Sequence, residues 1–188
     1  MPVAHRMTAR EFIDMPMPDF GRPWNLVDGE VIVNEARRSH EAVQSDLYFA
    51  ISSWAREEAG RGLCTLPLDV EIDARNVFVP DVLWYSEEKA PARGDDPPYP
   101  MPDIAVEVRS PSTWRYDIGA KKAGYERHGL PELWLVDTAA EEVLVFKRST
   151  SKAPSFDVAL ELTCEDTIIS PLLPGFAFSV TELFPEPS

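Results

Sequence analysis

Short apolar runs at strand spacing alternate along this chain with two stretches in which apolar residues recur at helical spacing. Residues 24–33, Trp-Asn-Leu-Val-Asp-Gly-Glu-Val-Ile-Val, predict a hairpin, because Gly29 supplies the positive φ that a tight turn needs. Ser39 is placed to cap a helix starting at His40, with Val43, Leu47, Ala50, Ile51 and Trp54 on one stripe and Gly60 as its stop. After Pro67, apolar and polar residues alternate through 68–73, which predicts a half-exposed strand with Asp69, Glu71 and Asp73 on the solvated side. Apolar runs follow at 77–84 and 104–108. The turn Ser110-Pro111-Ser112-Thr113 leads into a predicted helix to about His128, with Ile118, Lys122 and Tyr125 near one face and Gly129 and Pro131 ending it. Leu133–Val136 reads as a buried strand and Val143–Phe146 as its hairpin partner. The tail adds strand-like segments at 156–162, near Ile168 and within 172–184.

Two further segments frame this pattern. Residues 1–20 form an N-terminal extension in which Thr8 and Glu11 have capping-box spacing and predict a short helix. Residues 86–102 are rich in Pro, Gly and charge, a long loop of the kind that serves as a lid, a binding loop or a dimer arm. Strands on both sides mark it as a loop within a domain. The order of elements predicts one α/β domain over 1–188, with a mixed central sheet flanked by helices, an added N-terminal hairpin and C-terminal strands.

Two acids interrupt the apolar runs. Asp81 follows Val77-Phe78-Val79-Pro80, and Glu107 sits inside Ile104-Ala105-Val106-Glu107-Val108. A carboxylate in the apolar part of a sheet loses hydration at a cost of several kcal/mol unless a cation or strong donors replace the water. A divalent cation shared by the pair is the simplest compensation; the plainer alternatives are that Asp81 is a strand-entry turn residue after Pro80 and that Glu107 pairs with Arg109 on the same face of its strand.

Charge narrows the partners. With 18 Lys and Arg against 32 Asp and Glu, the formal charge is −14. Such a chain repels nucleic acid at long range, which excludes a broad basic binding surface but not a local basic cleft. Residues 109–128 are such a local exception, with Arg109, Arg115, Lys121, Lys122 and Arg127 against Asp117 and Glu126. Cys64 and Cys164 fit no metal-ligand spacing and are expected to be small buried hydrophobes. The first six residues show no apolar signal core, and no apolar run approaches the roughly 20 residues needed to cross a bilayer. A cytoplasmic protein with reduced thiols and no membrane partner is expected.

At Pro80-Asp81 and Glu107-Val108-Arg109, on successive strands before a helix, the chain resembles the PD-(D/E)XK nuclease superfamily. Further blocks follow in order: Asp28-Gly29-Glu30, Glu107 to Ser112, Asp117 with Lys121 and Tyr125, Glu132 to Asp137, and Leu173-Pro174-Gly175-Phe176. Together they are similar to the family of small bacterial putative restriction endonucleases, over nearly the whole chain from about Leu26 to Phe184. The resemblance implies a restriction-endonuclease-like fold and a metal-dependent endonuclease hydrolysing phosphodiester bonds, with DNA the expected substrate and a homodimer the expected assembly. It implies Asp81, Glu107 and the Val108 carbonyl as ligands of Mg²⁺, with Mn²⁺ as a substitute, because Mg²⁺ takes hard oxygen ligands and keeps several waters.

The sequence departs from the superfamily pattern at one position. Arg109 stands where a lysine is usual, and an always-protonated guanidinium is a poor base. Lys121 on the following helix matches the family's lysine and is expected to be the catalytic cation. Arg109 is then a phosphate contact or a structural partner, with Arg115 and Lys122 as further substrate-binding candidates. Glu30, His40 and Asp117 are candidate support residues, with a plain surface role open for Glu30 and His40 and an ordinary helix pair open for Asp117 and Lys121. Trp54 and Trp134 are expected in the core, and Glu71 is an outside candidate for the metal site. A rival function keeps the fold but loses the chemistry: a degenerate nuclease serving as a binding or interaction module. A second rival is an enzyme on another phosphorylated or small substrate, with 86–102 as a lid.

Overall fold

The computed structural model describes residues 6–16, 24–35 and 37–185. A six-stranded mixed sheet forms the centre. Its strands are β3 (Leu63–Thr65), β6 (Val82–Tyr85), β7 (Ile104–Val108), β8 (Glu132–Asp137), β9 (Glu142–Lys147) and β10 (Val158–Leu162), in the order β10-β9-β8-β7-β6-β3. Only β7 and β8 pair in parallel. A parallel pair needs a crossover, and the helical segment between them supplies it. That segment runs from α3 (Trp114–Tyr116) through a π-helical turn (Asp117–Lys121) into α4 (Lys122–Arg127).

A smaller antiparallel sheet orders β2 (Glu30–Val33), β1 (Trp24–Val27), β5 (Asn76–Phe78) and β4 (Val70–Asp73). The predicted hairpin is its outer half, with Asp28 at φ 50° and Gly29 at φ 76° in the turn. The short helix α1 (Ala9–Ile13) carries the expected reciprocal Thr8–Glu11 cap and packs Phe12 against Leu26 and Val77. The rest of the 1–20 extension, residues 1–5 and 17–20, lies outside the described residues.

Two cores share the central sheet. On one face the long helix α2 (Arg38–Glu57) lays Val43, Leu47, Ile51 and Trp54 against Val106, Val108, Trp134 and Val136, together with Leu173 and Phe176 of the tail. On the other face Tyr125 of α4 and Phe78 of the small sheet pack against Ala105, Leu133 and Leu135. Both tryptophans are core, as expected. In the tail, β11 (Thr167–Ile168) pairs with β12 (Phe178–Ser179). Among the described residues no helix is long and apolar enough to cross a membrane.

Several expectations are corrected. The run 77–84 is not one strand: β5 belongs to the small sheet and β6 to the central one, so Val79-Pro80-Asp81 is the joint between sheets. Pro80 has no N–H to give to a ladder, which suits it to that break. The helix after the hairpin starts at Arg38, with Arg37 at its N-cap and no side-chain cap, so Ser39 lies inside the first turn. Asp69 is buried, because the 86–102 loop folds back: the Tyr99 N–H donates to the Asp69 carbonyl at 2.9 Å, and Tyr99 bridges Val70. Glu71 is exposed as expected, and Asp73 is half-buried, its carboxylate accepting from the Arg75 N–H and Asn76. Cys64 is buried, whereas Cys164 is only half-buried.

Ile118 was expected to face inward and is 47% exposed. The buried stripe is instead Thr113, Asp117, Lys121 and Tyr125, spaced by fours. A spacing of four drifts by about 40° per step on a regular α-helix. The wider winding of the π turn absorbs that drift and keeps the four side chains aligned over the sheet.

Candidate active site

The antiparallel register of β6 and β7 begins at Val82 opposite Val106, so Asp81, just before β6, and Glu107, inside β7, flank its first pair. The two acids that stood out in sequence are therefore brought to the same end of this strand pair. The Asp81 N–H donates to the Val106 carbonyl at 2.9 Å, and Asp81 Oδ2 accepts the Val108 N–H at 2.7 Å. Helix α2 holds the same residue from the other side. Gln44 Nε2 donates to the Asp81 carbonyl at 2.8 Å, and His40 Nε2 lies 3.2 Å from Asp81 Oδ2, off the hydrogen-bonding direction.

Glu107 is clamped at both oxygens. Tyr125 donates its hydroxyl to Oε1 at 2.6 Å, and the Lys121 ammonium lies 2.6 Å from Oε2. Asp117 Oδ1 stands 3.0 Å from the same ammonium. Asp81, Glu107, Asp117, Lys121, Tyr125 and His40 are all buried.

Three acids share this interior with one lysine and one histidine. Burial pushes the Glu107 carboxyl up to about 8: the pull of Lys121 is outweighed once Asp117 and Asp81 add their repulsion. Burial likewise raises Asp117 against the pull of Lys121 and Thr113. Burial works to lower Lys121, but Asp117 and Glu107 overcome it and hold the ammonium above its ordinary range. Burial also works to lower His40, and Asp81 reverses the direction, so its pKa rises. Burial and the neighbouring Glu107 drive the Tyr125 hydroxyl well up, which leaves it a firm donor.

Among the described residues no three or more His, Cys, Asp or Glu side chains gather so as to hold a metal by themselves. The donor chemistry nevertheless fits a hard divalent cation. Two carboxylates and a neighbouring carbonyl suffice for Mg²⁺, which keeps several waters. Both His40 nitrogens are buried without hydrogen-bond partners, and Asp117 Oδ1 makes no well-aligned hydrogen bond although it lies 3.0 Å from the Lys121 ammonium.

The other sequence candidates fall elsewhere. Arg109 Nη1 contacts both Asp137 oxygens at 2.7 and 2.8 Å, and its guanidinium lies 5.6 Å over the Trp114 ring: the structural-partner alternative. Lys122 places its ammonium 4.4 Å over Phe146, away from any basic patch. Arg115 is exposed and donates to the Tyr116 hydroxyl at 2.7 Å. Of the five bases in 109–128, only Arg115 and Arg127 are exposed, so the expected basic patch does not assemble. Glu30 and Glu71 are exposed on the small sheet and, among the described residues, touch neither acid. The residues missed in sequence are Gln44, whose contact is to a main-chain oxygen, and the pair Ser110 and Thr113, read there only as a turn.

This fold, with two buried acids where β6 and β7 begin to pair and a lysine from the crossover helix, defines a restriction-endonuclease-like α/β protein. The chain belongs to the Uma2 family, described as "Putative restriction endonuclease", which matches it over residues 9–181. A solved structure described as a putative nuclease belonging to DUF820, from Anabaena variabilis ATCC 29413, has a similar fold. The TM-score is 0.74 and the sequence identity 18%, over 95% of this chain and 97% of that one. No curated protein is significantly similar in sequence.

Proposed function

We propose that this protein is a Mg²⁺-dependent endonuclease that hydrolyses phosphodiester bonds in DNA. One observation carries the reading: Asp81 accepts the N–H of Val108, the residue after Glu107, at 2.7 Å, and the Lys121 ammonium lies 2.6 Å from Glu107, all out of bulk water. Asp81, Glu107 and the Val108 carbonyl would hold the metal. When bound, Mg²⁺ supplies charge neutralisation and an activated water at neutral pH. Lys121, held protonated, is no base; it is a fixed positive charge for the oxygens that gain charge in the transition state. Tyr125 orients Glu107, and α2 orients Asp81. Exposed Arg115, in the first helical turn of the crossover segment, is the candidate phosphate contact of this reading. A homodimer would let two such sites cut two strands.

The rival binding-module reading has its own support: Arg109 is taken up by Asp137, and the chain carries −14 charge overall. A cleavage assay with Mg²⁺ and Mn²⁺ separates the two. Supercoiled, linear and single-stranded DNA and RNA are the substrates, and Glu107→Ala is the control. Metal-dependent cutting of DNA lost in Glu107→Ala is expected. A folded wild-type protein that cuts nothing with either metal, yet binds nucleic acid, establishes the rival.

A further inference from the structure

Lys121 sits on a short, irregular helix, yet its side chain is almost completely buried and points at a neighbouring strand. A flexible four-carbon side chain loses much rotamer freedom when fixed, so something must hold it. Glu107 takes one side of the ammonium, and Asp117 lies on another at 3.0 Å. Asp117 is itself held: Oδ2 accepts the Thr113 hydroxyl at 2.9 Å, and the Thr113 hydroxyl lies 2.8 Å from the Ser110 hydroxyl. The Thr113 N–H donates back to Ser110 Oγ at 3.3 Å. Ser110 stands just past the end of β7, three residues beyond Glu107. The chain of contacts therefore leaves the strand at Ser110 and returns to it at Glu107 through the crossover helix. All its members are buried.

We propose that Ser110, Thr113 and Asp117 are positioning residues, a buried polar anchor that fixes the Lys121 ammonium against Glu107 for the reaction. The inference rests on the proposed function for its catalytic consequence and on geometry alone for the anchor. Two features exclude an ordinary surface helix pair, which is solvated and contributes little. The pair is buried, and the other Asp117 oxygen accepts the buried Thr113 hydroxyl. A buried ion pair of this kind is a weak source of stability, because desolvation of the charges offsets their attraction. The π turn serves the same end, because it keeps Thr113, Asp117, Lys121 and Tyr125 in line where a regular helix would rotate them apart.

The test uses the full chain and two arms. In the kinetic arm, Asp117→Asn lowers kcat about 100-fold with KM and Mg²⁺ affinity little changed, the range of a lost electrostatic group. Thr113→Val, nearly the same shape without the hydroxyl, lowers kcat about tenfold, and Thr113→Ser recovers it. In a Lys121→Met background neither change lowers kcat further, because residues that act through one another are not additive. Additive losses in that background, or equal losses in Thr113→Val and Thr113→Ser, overturn the proposal. If Asp117→Asn does not fold, the Thr113 pair decides. In the second arm, urea unfolding of Asp117→Asn, Lys121→Met and the double variant measures their coupling. If the wild type cuts nothing, the nuclease reading falls, and absence of coupling in this arm overturns the anchor independently.

Discussion

Lys121 Nζ lies 2.6 Å from Glu107 Oε2, with the two side chains 2% and 4% exposed, although 13 residues and a change from strand to helix separate them. At that distance in a water-poor interior the ammonium is a preorganised charge rather than a tethered surface group. Loss of Lys121 should therefore appear at the transition state. Lys121→Ala is expected to lower kcat by roughly 10²–10³ at saturating DNA, with circular dichroism confirming a folded protein. Arg109→Ala should leave turnover at saturation within a few-fold, since its guanidinium is bound to Asp137. A dead Arg109→Ala beside a near-normal Lys121→Ala would reverse the assignment.

Metal binding should depend on both acids. Titration calorimetry is expected to show Mg²⁺ or Mn²⁺ binding that Asp81→Asn and Glu107→Gln each weaken by tenfold or more, on the order of the 1.4 kcal/mol that tenfold represents. Wild-type affinity in both variants would remove the acid pair from the site.

The raised Glu107 pKa makes stability depend on pH in a definite direction. Between its ordinary value of 4.5 and about 8, the folded state holds a proton that the unfolded chain has released. Stability from this group is fully present below 4.5 and is lost as pH rises through about 8, by up to about 1.4 kcal/mol per pH unit. Urea unfolding of the metal-free protein between pH 5 and 9 should show the decline. Glu107→Gln, which cannot ionise, should flatten it. An equally steep decline in Glu107→Gln would mean that another group carries it.

Two glycines of the crossover helix should respond with opposite signs. A Cβ on Gly124 would lie 2.7 Å from Phe78 Cε2, and that buried ring is packed edge-on against Tyr125 at 5.0 Å. Gly124→Ala is expected to destabilise by about 1–3 kcal/mol, more than the roughly 1 kcal/mol of helix propensity it gains. It should also cost activity through the Tyr125 bond to Glu107. A Cβ on Gly119 meets nothing within 4 Å, so Gly119→Ala should be neutral or stabilising by up to about 1 kcal/mol. Chemical denaturation of both variants checks the pair.

Asp137 ties the end of β8 to Arg109 and to the turn beyond it. Burial opposes ionisation there, but Arg109 and the Ala139 and Ala140 N–H groups outweigh it and hold the carboxyl below its ordinary range. Stability from this group is present above pH 3.8 and is lost as pH falls. Arg109→Ala should cost only about 0.5–1 kcal/mol, because the guanidinium is partly solvated. Asp137→Ala, which also strips the turn of its acceptor, should cost about 1–3 kcal/mol. Equal costs would show that the ion pair alone matters.

Much of the architecture is local and could be read along the chain. Asp28-Gly29 makes the hairpin because few other pairs take two positive φ values without strain. Thr8 and Glu11 cap α1, and the α2 stripe buries Val43, Leu47, Ile51 and Trp54 as its spacing predicts, with Ala50 only half-buried. Asp81 and Glu107 stood out because an acid in an apolar run has no local reason to be there, and resemblance brought Lys121 to them. What local pattern could not supply is every relation between elements. The 77–84 run divides between two sheets because pairing, not hydrophobicity, assigns a strand to its partner. Ile118 points out and Asp117 points in, because the helical phase follows the buried polar stripe and the π turn rather than apolar spacing. Sequence charge placed five bases together, while packing sent Lys121 inward, Lys122 over Phe146 and Arg109 to Asp137. Residue type and spacing settle which chemistry is present and which segments form. Burial and partner choice depend on contacts far apart in the chain, so only the tertiary structure decides which of those charges meet and in what protonation state they do so.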